Sequence, residues 1–255
     1  MANATLEFAF SMVGLVFWSF QLAPQVWKNW KLKSTEGLST PMMIIWALSG
    51  IFLGNYNIGA NLAVPLWIQP QIFAVIAYIC ALQTMYYQRK WSSTLSLFVL
   101  FVICVISGAI EYGLVTAFRV AQDRQVDWVH WFFGVIPVVL IIIGFLPQYW
   151  DIFVEKRVHG VSHLFLAMDF LGSIFSILSL AFRDTFDALD AVNYVAVAVL
   201  DLGIFSLYYI FEWYHKRKDR KASEIDVEKG TDSTVVDTET EANLPGSSAD
   251  VASTL

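Results

Sequence analysis

The sequence is poor in charged residues and in cysteine. Charged side chains account for 15% of the 255 residues and hydrophobic ones for 57%, whereas soluble domains carry about 25% charged residues. This composition excludes an ordinary water-soluble domain and indicates a membrane protein. Cys80 and Cys104 both lie in apolar stretches, so the sequence has no disulfide framework and no metal-ligand spacing. We expect neither a metal site nor another cofactor.

Paired catalytic groups are also lacking in the apolar stretches. We find no nucleophile paired with a base there, so we do not expect an enzyme. The net charge of -6 would suggest a basic partner, but eight acids and one lysine lie between Ala222 and Leu255. The acidity therefore belongs to the C-terminal tail, and we expect no nucleic-acid partner.

Seven apolar stretches are long enough to cross a bilayer, because about 20 apolar residues span the hydrocarbon core as a helix. The first stretch has no basic residues before it and no small-residue cleavage site after it, so we expect it to be retained in the protein. The predicted spans lie near residues 6 to 27, 41 to 60, 70 to 87, 94 to 112, 129 to 150, 163 to 182 and 191 to 211.

A motif at the end of the first span recurs at the end of the fifth. Shifting the chain by 123 residues places LAPQVW, from Leu22 to Trp27, on FLPQYW, from Phe145 to Trp150. The same shift aligns three more identical pairs, Lys33 with Lys156, Gly37 with Gly160 and Ser39 with Ser162. Six identities between positions 24 and 39 exceed the roughly one expected by chance. The sequence therefore predicts an internal duplication.

The duplication and the number of spans together predict how the halves are arranged. Each motif ends the first helix of a three-helix unit, so a single span lies between the two units. Because a repeated unit of three spans would otherwise be inverted, the single span gives both units the same orientation. We expect an all-α membrane protein of seven transmembrane helices, as two parallel three-helix bundles joined by a linker helix (3+1+3), a plan known among transporters.

The predicted domain boundaries follow from this arrangement. The tail is too polar to bury a hydrophobic core, and we expect it to be disordered and acidic. The predicted segments are a first bundle at 1–88, the linker helix with its flanking loops at 89–128, a second bundle at 129–214 and the tail at 215–255.

Basic residues predict the orientation, because lysine and arginine in short loops stay on the cytosolic side. Only Arg119, Arg124 and Arg183 lie on the side of the N-terminus. The other side holds twelve, namely Lys28, Lys31, Lys33, Arg89, Lys90, Lys156, Arg157, Lys216, Arg217, Lys218, Arg220 and Lys221. We expect a lumenal or external N-terminus and a cytosolic C-terminus.

Two carboxyls, those of Asp169 and Asp201, lie deep in predicted spans with no basic residue at the same depth. A charge there costs at least about 2.5 to 3.5 kcal/mol, and loss of water favours the protonated carboxyl. We expect both residues to take up and release protons, although neutral packing residues are the alternative. Glu7, Glu111 and Asp190 lie at span ends, where we expect them to be solvated.

The Pro-Gln motifs predict a matched pair of hinges. Proline has no N–H and crowds the preceding turn, so Pro24 and Pro147 each free a backbone carbonyl, and Gln25 and Gln148 offer donors nearby. The alternative is that each proline only ends a helix at the membrane interface.

Four further side chains are candidates to line a cavity for a polar solute. We expect Asn57, Asn193, Trp46 and Ser173 to do so. Ordinary hydrogen bonding between helices is the alternative for the polar ones.

The segments that begin at Pro24 and Pro147 resemble the paired signatures of the PQ-loop repeat family. The resemblance extends over residues 6 to 214 and is greatest to the cystinosin branch and the lysosomal and vacuolar amino acid exporters, in the run from Asp169 to Ser176 and in Asp201. It implies two three-helix bundles, transport, and proton coupling through Asp169. At the position of a cavity lysine in that branch this sequence has Asp190, which would repel a solute carboxylate.

Taken together, these features predict a proton-coupled transporter. We expect it to export an amino acid or similar small polar solute from an acidic organelle, such as a vacuole, lysosome or endosome, to the cytosol by alternating access. One alternative is a non-coupled sugar facilitator like the SWEET branch. Another is a membrane protein that affects lipid distribution or acts as a receptor or scaffold, with a protein bound to its tail.

Overall fold

The computed structural model describes residues 3–36, 38–156 and 163–242, and these ranges are helical throughout apart from short connections. Gly37, Gly160 and Ser162 of the predicted repeat lie outside the described residues. The helices are α1 (Ala4–Phe20), α2 (Ala23–Leu32), α3 (Thr40–Gly59), α4 (Val64–Arg89), α5 (Ser93–Asp123), α6 (Asp127–Glu155), α7 (His163–Ala181) and α8 (Ala188–Ala242).

The predicted all-α fold with seven spans is confirmed. Within the described ranges, seven helical segments are long and apolar enough to cross a membrane, with α1 and α2 together forming the first. Successive spans run in opposite directions. We call the end with Pro24 the PQ side and the end with Asn3 the N-terminal side. The 3+1+3 arrangement of the spans stays a prediction.

The two Pro-Gln motifs differ in their effect on the backbone. The helix of the first span is interrupted at Gln21 and Leu22, and Pro24 lies in the first turn of α2, where its missing N–H would have no helical partner. In the second copy α6 continues through Pro147 without a break. A helix break is therefore found at the first motif only, since a proline inside a membrane helix is tolerated without ending the helix when neighbours bond the freed backbone groups.

The duplication is visible in the backbone where these helices end on the PQ side. Lys33 caps α2 with a left-handed backbone, at φ 51° and ψ 29°, and Lys156 caps α6 at φ 51° and ψ 32°. These residues are equivalent under the shift of 123 positions. A left-handed residue is a common helix terminator, although lysine adopts it far less often than glycine.

The halves meet through two equivalent helix contacts. Helix α1 packs against α7, and α3 packs against α6. The shift of 123 residues places α1 on α6 and α3 on α7, so it converts one contact into the other. Helix α5 lies between the repeats in the sequence and packs against α3, α4 and α6.

Each of these contacts places a buried tryptophan against a glycine. Trp18 of α1 packs on Gly172 of α7, and Trp46 of α3 packs on Gly144 of α6. A Cβ at either glycine would collide with the indole. A glycine lets the large ring approach the backbone of the facing helix closely. Such close packing holds helices together in lipid, where no hydrophobic force acts between them.

The last helix continues beyond the membrane span. Residues from Tyr209 form a separate unit, in which Lys216 Nζ lies 2.8 Å from Glu212 Oε1. The backbone of α8 is helical through Ala242, and residues 243–255 lie outside the described ranges. The predicted domain boundaries, with a disordered tail at 215–255, stay a prediction. A helix that extends an existing span needs no new nucleus, which favours its continuation.

The Gly172 contact leads to a test of packing. We expect Gly172→Ala to lower the thermal stability of the purified protein by about 1 to 3 kcal/mol, because overpacking forces the Trp18 ring out of its place. The matched control is Gly108→Ala, since a Cβ there meets no atom within 4 Å. Equal melting temperatures for the two variants would contradict the contact.

Candidate functional site

An inner chamber lies where the halves meet. Its volume is about 30 Å³, which is enough for about two water molecules. Six side chains define its character, four of them aromatic, namely Trp18, Trp46, Phe73, Phe145, Gln21 and Asp169. In this conformation the chamber is therefore a narrow aromatic space with one carboxyl and one amide.

An outer cavity of about 200 Å³ adjoins the inner chamber on the PQ side. Gln21 and Trp46 line both spaces, so they form the boundary between them. Farther out the cavity is lined by Pro24, Gln25 and the exposed Lys28. The interruption of the first span therefore lies directly at the passage from the outer cavity to the chamber.

Asp169 is held in the chamber by both halves of the protein. It is 5% exposed, and the Gln21 side chain forms a hydrogen bond to its carboxyl. Its backbone carbonyl accepts hydrogen bonds from Trp18 Nε1 at 3.2 Å and from Ser173 Oγ at 3.0 Å. The first half thus contributes an amide to the carboxyl and an indole to the backbone beside it.

Asp201 lies beside Asp169 on the neighbouring helix α8. It is completely buried, and neither carboxyl oxygen has a hydrogen-bond partner. The two carboxyls are close enough to repel each other when both are ionised. The structure therefore brings together the two deep acids that the sequence singled out. A proton shared between them would relieve the repulsion.

A polar network connects α2 to α4 on the PQ side. Gln25 Nε2 donates to Asn29 Oδ1 at 2.8 Å, and Asn29 Nδ2 donates to Gln83 Oε1 at 2.9 Å. Gln83 Nε2 in turn donates to the Val26 carbonyl at 3.1 Å. Gln25 thus holds the segment after the break to its neighbour. In the second copy, Pro147 is exposed on α6.

On the N-terminal side the space between the halves is closed by aromatic side chains. Tyr56 is completely buried and packs with Phe118, Val129 and Phe133. Its hydroxyl donates to Asp187 Oδ1 at 2.8 Å and lies 3.2 Å from His130 Nε2. One tyrosine therefore contacts groups from both halves.

Two further contacts close the same side. Arg183 Nη2 donates to the carbonyls of Ala60 and Asn61, at 3.1 and 3.3 Å, at the end of α3. Asn57 Nδ2 donates to the Leu66 carbonyl at 2.8 Å and to the Tyr194 hydroxyl at 3.4 Å. The site is thus closed on the N-terminal side and has its larger cavity on the PQ side.

The four predicted lining residues have different surroundings. Trp46 lines both spaces. Asn57 belongs to the closed side, and Ser173 Oγ donates within its own helix to Asp169. Asn193 Nδ2 donates to the carbonyls of Gly134 and Leu189, both at 3.0 Å. In this conformation the two asparagines and the serine therefore bond to the backbone.

The expectation that the acids at span ends are solvated is wrong for Asp190. Its side chain is completely buried beside Tyr194, because α8 begins between the helices. Glu111 is half-buried and accepts a hydrogen bond from Gln71 Nε2. Glu7 is half-buried at the start of α1.

Sequence reasoning missed two central residues, Gln21 and Tyr56. Gln21 precedes the Pro-Gln motif, and a polar amide inside an apolar stretch was the available signal. Tyr56 lies inside an apolar stretch, where an aromatic residue gives no distinct signal of a functional role. Among the described residues, no group of three His, Cys, Asp or Glu side chains is arranged to hold a metal ion.

Known proteins share the repeat of this chain. The family signature described as PQ loop repeat matches residues 6–66 and 129–189, one copy in each half. The chain belongs to the PQ-loop repeat family. An uncharacterized protein of Schizosaccharomyces pombe is 40% identical over 87% of this chain and 78% of its own length. An uncharacterized membrane protein of Saccharomyces cerevisiae is 33% identical over 87% of this chain and 72% of its own length.

A more distant relative carries a functional name. Cystinosin of Drosophila melanogaster is 23% identical over 88% of this PQ-loop protein and 62% of its own length. Family membership and this similarity suggest a membrane role like that of a transporter, and they do not point to an enzyme.

The Tyr56 contacts lead to a test of the closed side. We expect Tyr56→Phe to increase the fraction of protein that is open on the N-terminal side. A hydrogen bond to a charged group contributes about 1.5 to 3 kcal/mol, so its loss should raise that fraction about tenfold or more. The measurement is the labelling rate of Val129→Cys by a water-soluble maleimide, with Cys80 and Cys104 replaced by alanine.

The matched control is Tyr112→Phe in the same background, because Tyr112 is exposed on α5. If Tyr56→Phe labels no faster than this control, the hydroxyl contacts do not hold the side closed.

Proposed function

We propose that this protein is a proton-coupled transporter that exports an amino acid or similar small polar solute from an acidic organelle to the cytosol by alternating access. The observation that carries the proposal is the burial of two carboxyls, Asp169 and Asp201, beside a chamber between the halves. Asp169 is the proton carrier and Asp201 assists it. Such acids inside membrane spans are costly and typically belong to a proton or solute pathway.

Contacts around Asp169 support the coupling of proton and solute. Gln21 bonds its carboxyl and also lines the outer cavity. A solute that leaves through the outer cavity therefore passes the hydrogen-bond partner of the proton carrier. Any movement of Gln21 changes the surroundings of the carboxyl, and burial without a partner favours its neutral form.

The unequal sides of the site support alternating access. The N-terminal side is closed through Tyr56 and Arg183, while the cavity extends toward the PQ side. The interruption at Gln21 and Leu22 supplies the hinge in the first half, with Pro24 and Gln25 after it. In the second half, Pro147 and Gln148 are the matching positions, where α6 continues without a break.

The direction of export rests on the predicted orientation. Because basic residues concentrate on the PQ side, that side faces the cytosol and the N-terminal side faces the lumen. This conformation then has its larger cavity toward the cytosol. Release there, followed by closure and opening toward the lumen, completes a cycle in which lumenal acidity loads the proton.

Reconstitution tests the proton carrier. We expect vesicles containing the purified protein to show proton flux when a panel of the twenty amino acids is applied under a pH gradient. Asp169→Asn should reduce that flux at least about tenfold, because an amide side chain, unlike a carboxyl, does not take up and release a proton. The measurement is the fluorescence of a pH dye trapped inside the vesicles.

The control is Asp123→Asn, an exposed carboxyl at the end of α5, which should leave the flux unchanged. If the flux through the Asp169→Asn variant still depends fully on the pH gradient, Asp169 is not the proton carrier. Solute uptake that never depends on pH in the unaltered protein would instead favour a facilitator of the SWEET type.

A further inference from the structure

We propose that helix α8, just beyond its apolar span, binds the phosphate-bearing headgroup of an anionic phospholipid. The binding surface consists of Trp213, Lys216, Arg217 and Arg220, and we call these four residues the basic patch. The inference goes beyond transport, because it concerns the recognition of a class of lipid rather than of a solute. It uses neither of the deep acids and neither of the cavities between the halves.

The first support is the position of the basic patch at the edge of the membrane. The last apolar span extends from Ala188 to Arg217. Trp213 lies near its end and is 59% exposed, and an amphipathic ring at such a position sits at the level of the lipid headgroups. Arg220 lies seven residues further, which is about 10 Å along a helix. The basic patch therefore lies at the depth of the lipid phosphates.

The second support is that the basic patch occupies one face of the helix. Its residues follow each other at spacings of three and four, which place side chains on the same face. Together they border an open space of about 350 Å³ at the surface, within the 300 to 1,000 Å³ of ligand sites. A headgroup in this space meets three cationic side chains at once. Charges of a merely solvated segment have no need of such an arrangement.

The third support is the contact between a ring and a guanidinium within the basic patch. The Arg217 guanidinium carbon lies 4.5 Å from the centroid of the Trp213 ring. A cation over the face of a tryptophan is attracted by the ring, so this contact restrains the arginine. Its planar fork matches two oxygens of a phosphate. The ring thus prepares Arg217 for a phosphate at the membrane surface.

The carboxylate beside the basic patch is a weak competitor. Lys216 Nζ lies 2.8 Å from Glu212 Oε1, and both side chains are open to solvent. Exposed ion pairs between residues four apart contribute little to stability, so a phosphate can replace this carboxylate. Residues 216–221 include five basic residues and one acid. A basic cluster of this size beside the cytosolic end of a span is typical of a site for anionic lipids.

The sign of the charge reverses beyond the basic patch. Residues 224–241 include seven acids and one lysine, and an anionic membrane surface repels such a segment. Lipid contacts are therefore confined to the part of α8 next to the span. In the predicted orientation this part lies on the cytosolic side, where the negative surface potential of the leaflet attracts basic segments.

Native mass spectrometry of the full-length protein in an uncharged detergent tests the inference, because it counts the lipid molecules bound to each protein. The probes are phosphatidylinositol bisphosphate, phosphatidylserine and phosphatidylcholine with identical acyl chains, together with inositol trisphosphate as a headgroup without chains. We expect both anionic lipids to bind more tightly than phosphatidylcholine. The bisphosphate should bind most tightly, because it offers the most phosphate oxygens, and the free headgroup should bind more weakly than its lipid.

A variant of the basic patch connects this binding to its residues. Each basic residue near an anionic surface contributes a factor of about five in affinity. Combining Lys216→Gln, Arg217→Gln and Arg220→Gln should therefore weaken binding of the bisphosphate lipid at least about tenfold and leave binding of phosphatidylcholine unchanged. Size-exclusion chromatography checks that the variant is folded, and Arg217→Gln alone replaces it if it is not.

The matched control removes three charges elsewhere on the predicted cytosolic side. It combines Lys31→Gln, Arg89→Gln and Lys90→Gln, all at exposed positions, and should bind the lipids as the unaltered protein does.

Four results would overturn the inference. They are equal affinity for the three lipids, unchanged affinity in the variant of the basic patch, an equal loss of affinity in the control, and tighter binding of the free headgroup than of its lipid. The last result would indicate a site for a soluble phosphate compound. Because these measurements involve no transport, none of the four results bears on the proposed function.

Discussion

The contact between Trp18 and α7 is the interaction on which the site depends. The indole ring lies against Gly172, where a side chain would exclude it, and its N–H donates to the carbonyl of Asp169. One side chain of the first half thus sets the spacing of α1 and α7 and the position of the acid. Because lipid offers no hydrophobic force between helices, close packing of this kind carries the association of the halves.

The duplication accounts for how the helices around the site are arranged, but not for which side chains line it. The shift of 123 residues places Trp46 on Asp169 and Gln21 on Gly144. At the first pair of equivalent positions, the first half has an aromatic ring and the second half has a carboxyl. At the second pair, the first half has an amide and the second half has a glycine. The second half alone contributes a carboxyl to the chamber lining, an asymmetry that two identical halves could not provide.

The same asymmetry appears in the backbone. Both copies end their helices with a left-handed lysine, Lys33 and Lys156, but only the first copy interrupts its span, at Gln21 and Leu22. The interruption lies at the boundary of the outer cavity and the chamber, beside the amide that bonds Asp169. The break in the first span thus lies directly beside the acid, with no counterpart in the second half.

Spans, duplication and the two deep acids were determined by the sequence alone, because run length, repetition and distance from a span end can be read along the chain. Only the tertiary structure decided which polar groups share a chamber. It brought Gln21 to Asp169, buried Asp190, and directed Asn193 to a backbone carbonyl. The physical reason is that depth along a helix follows from residue number, whereas the direction of a side chain and its partner depend on how helices pack against each other.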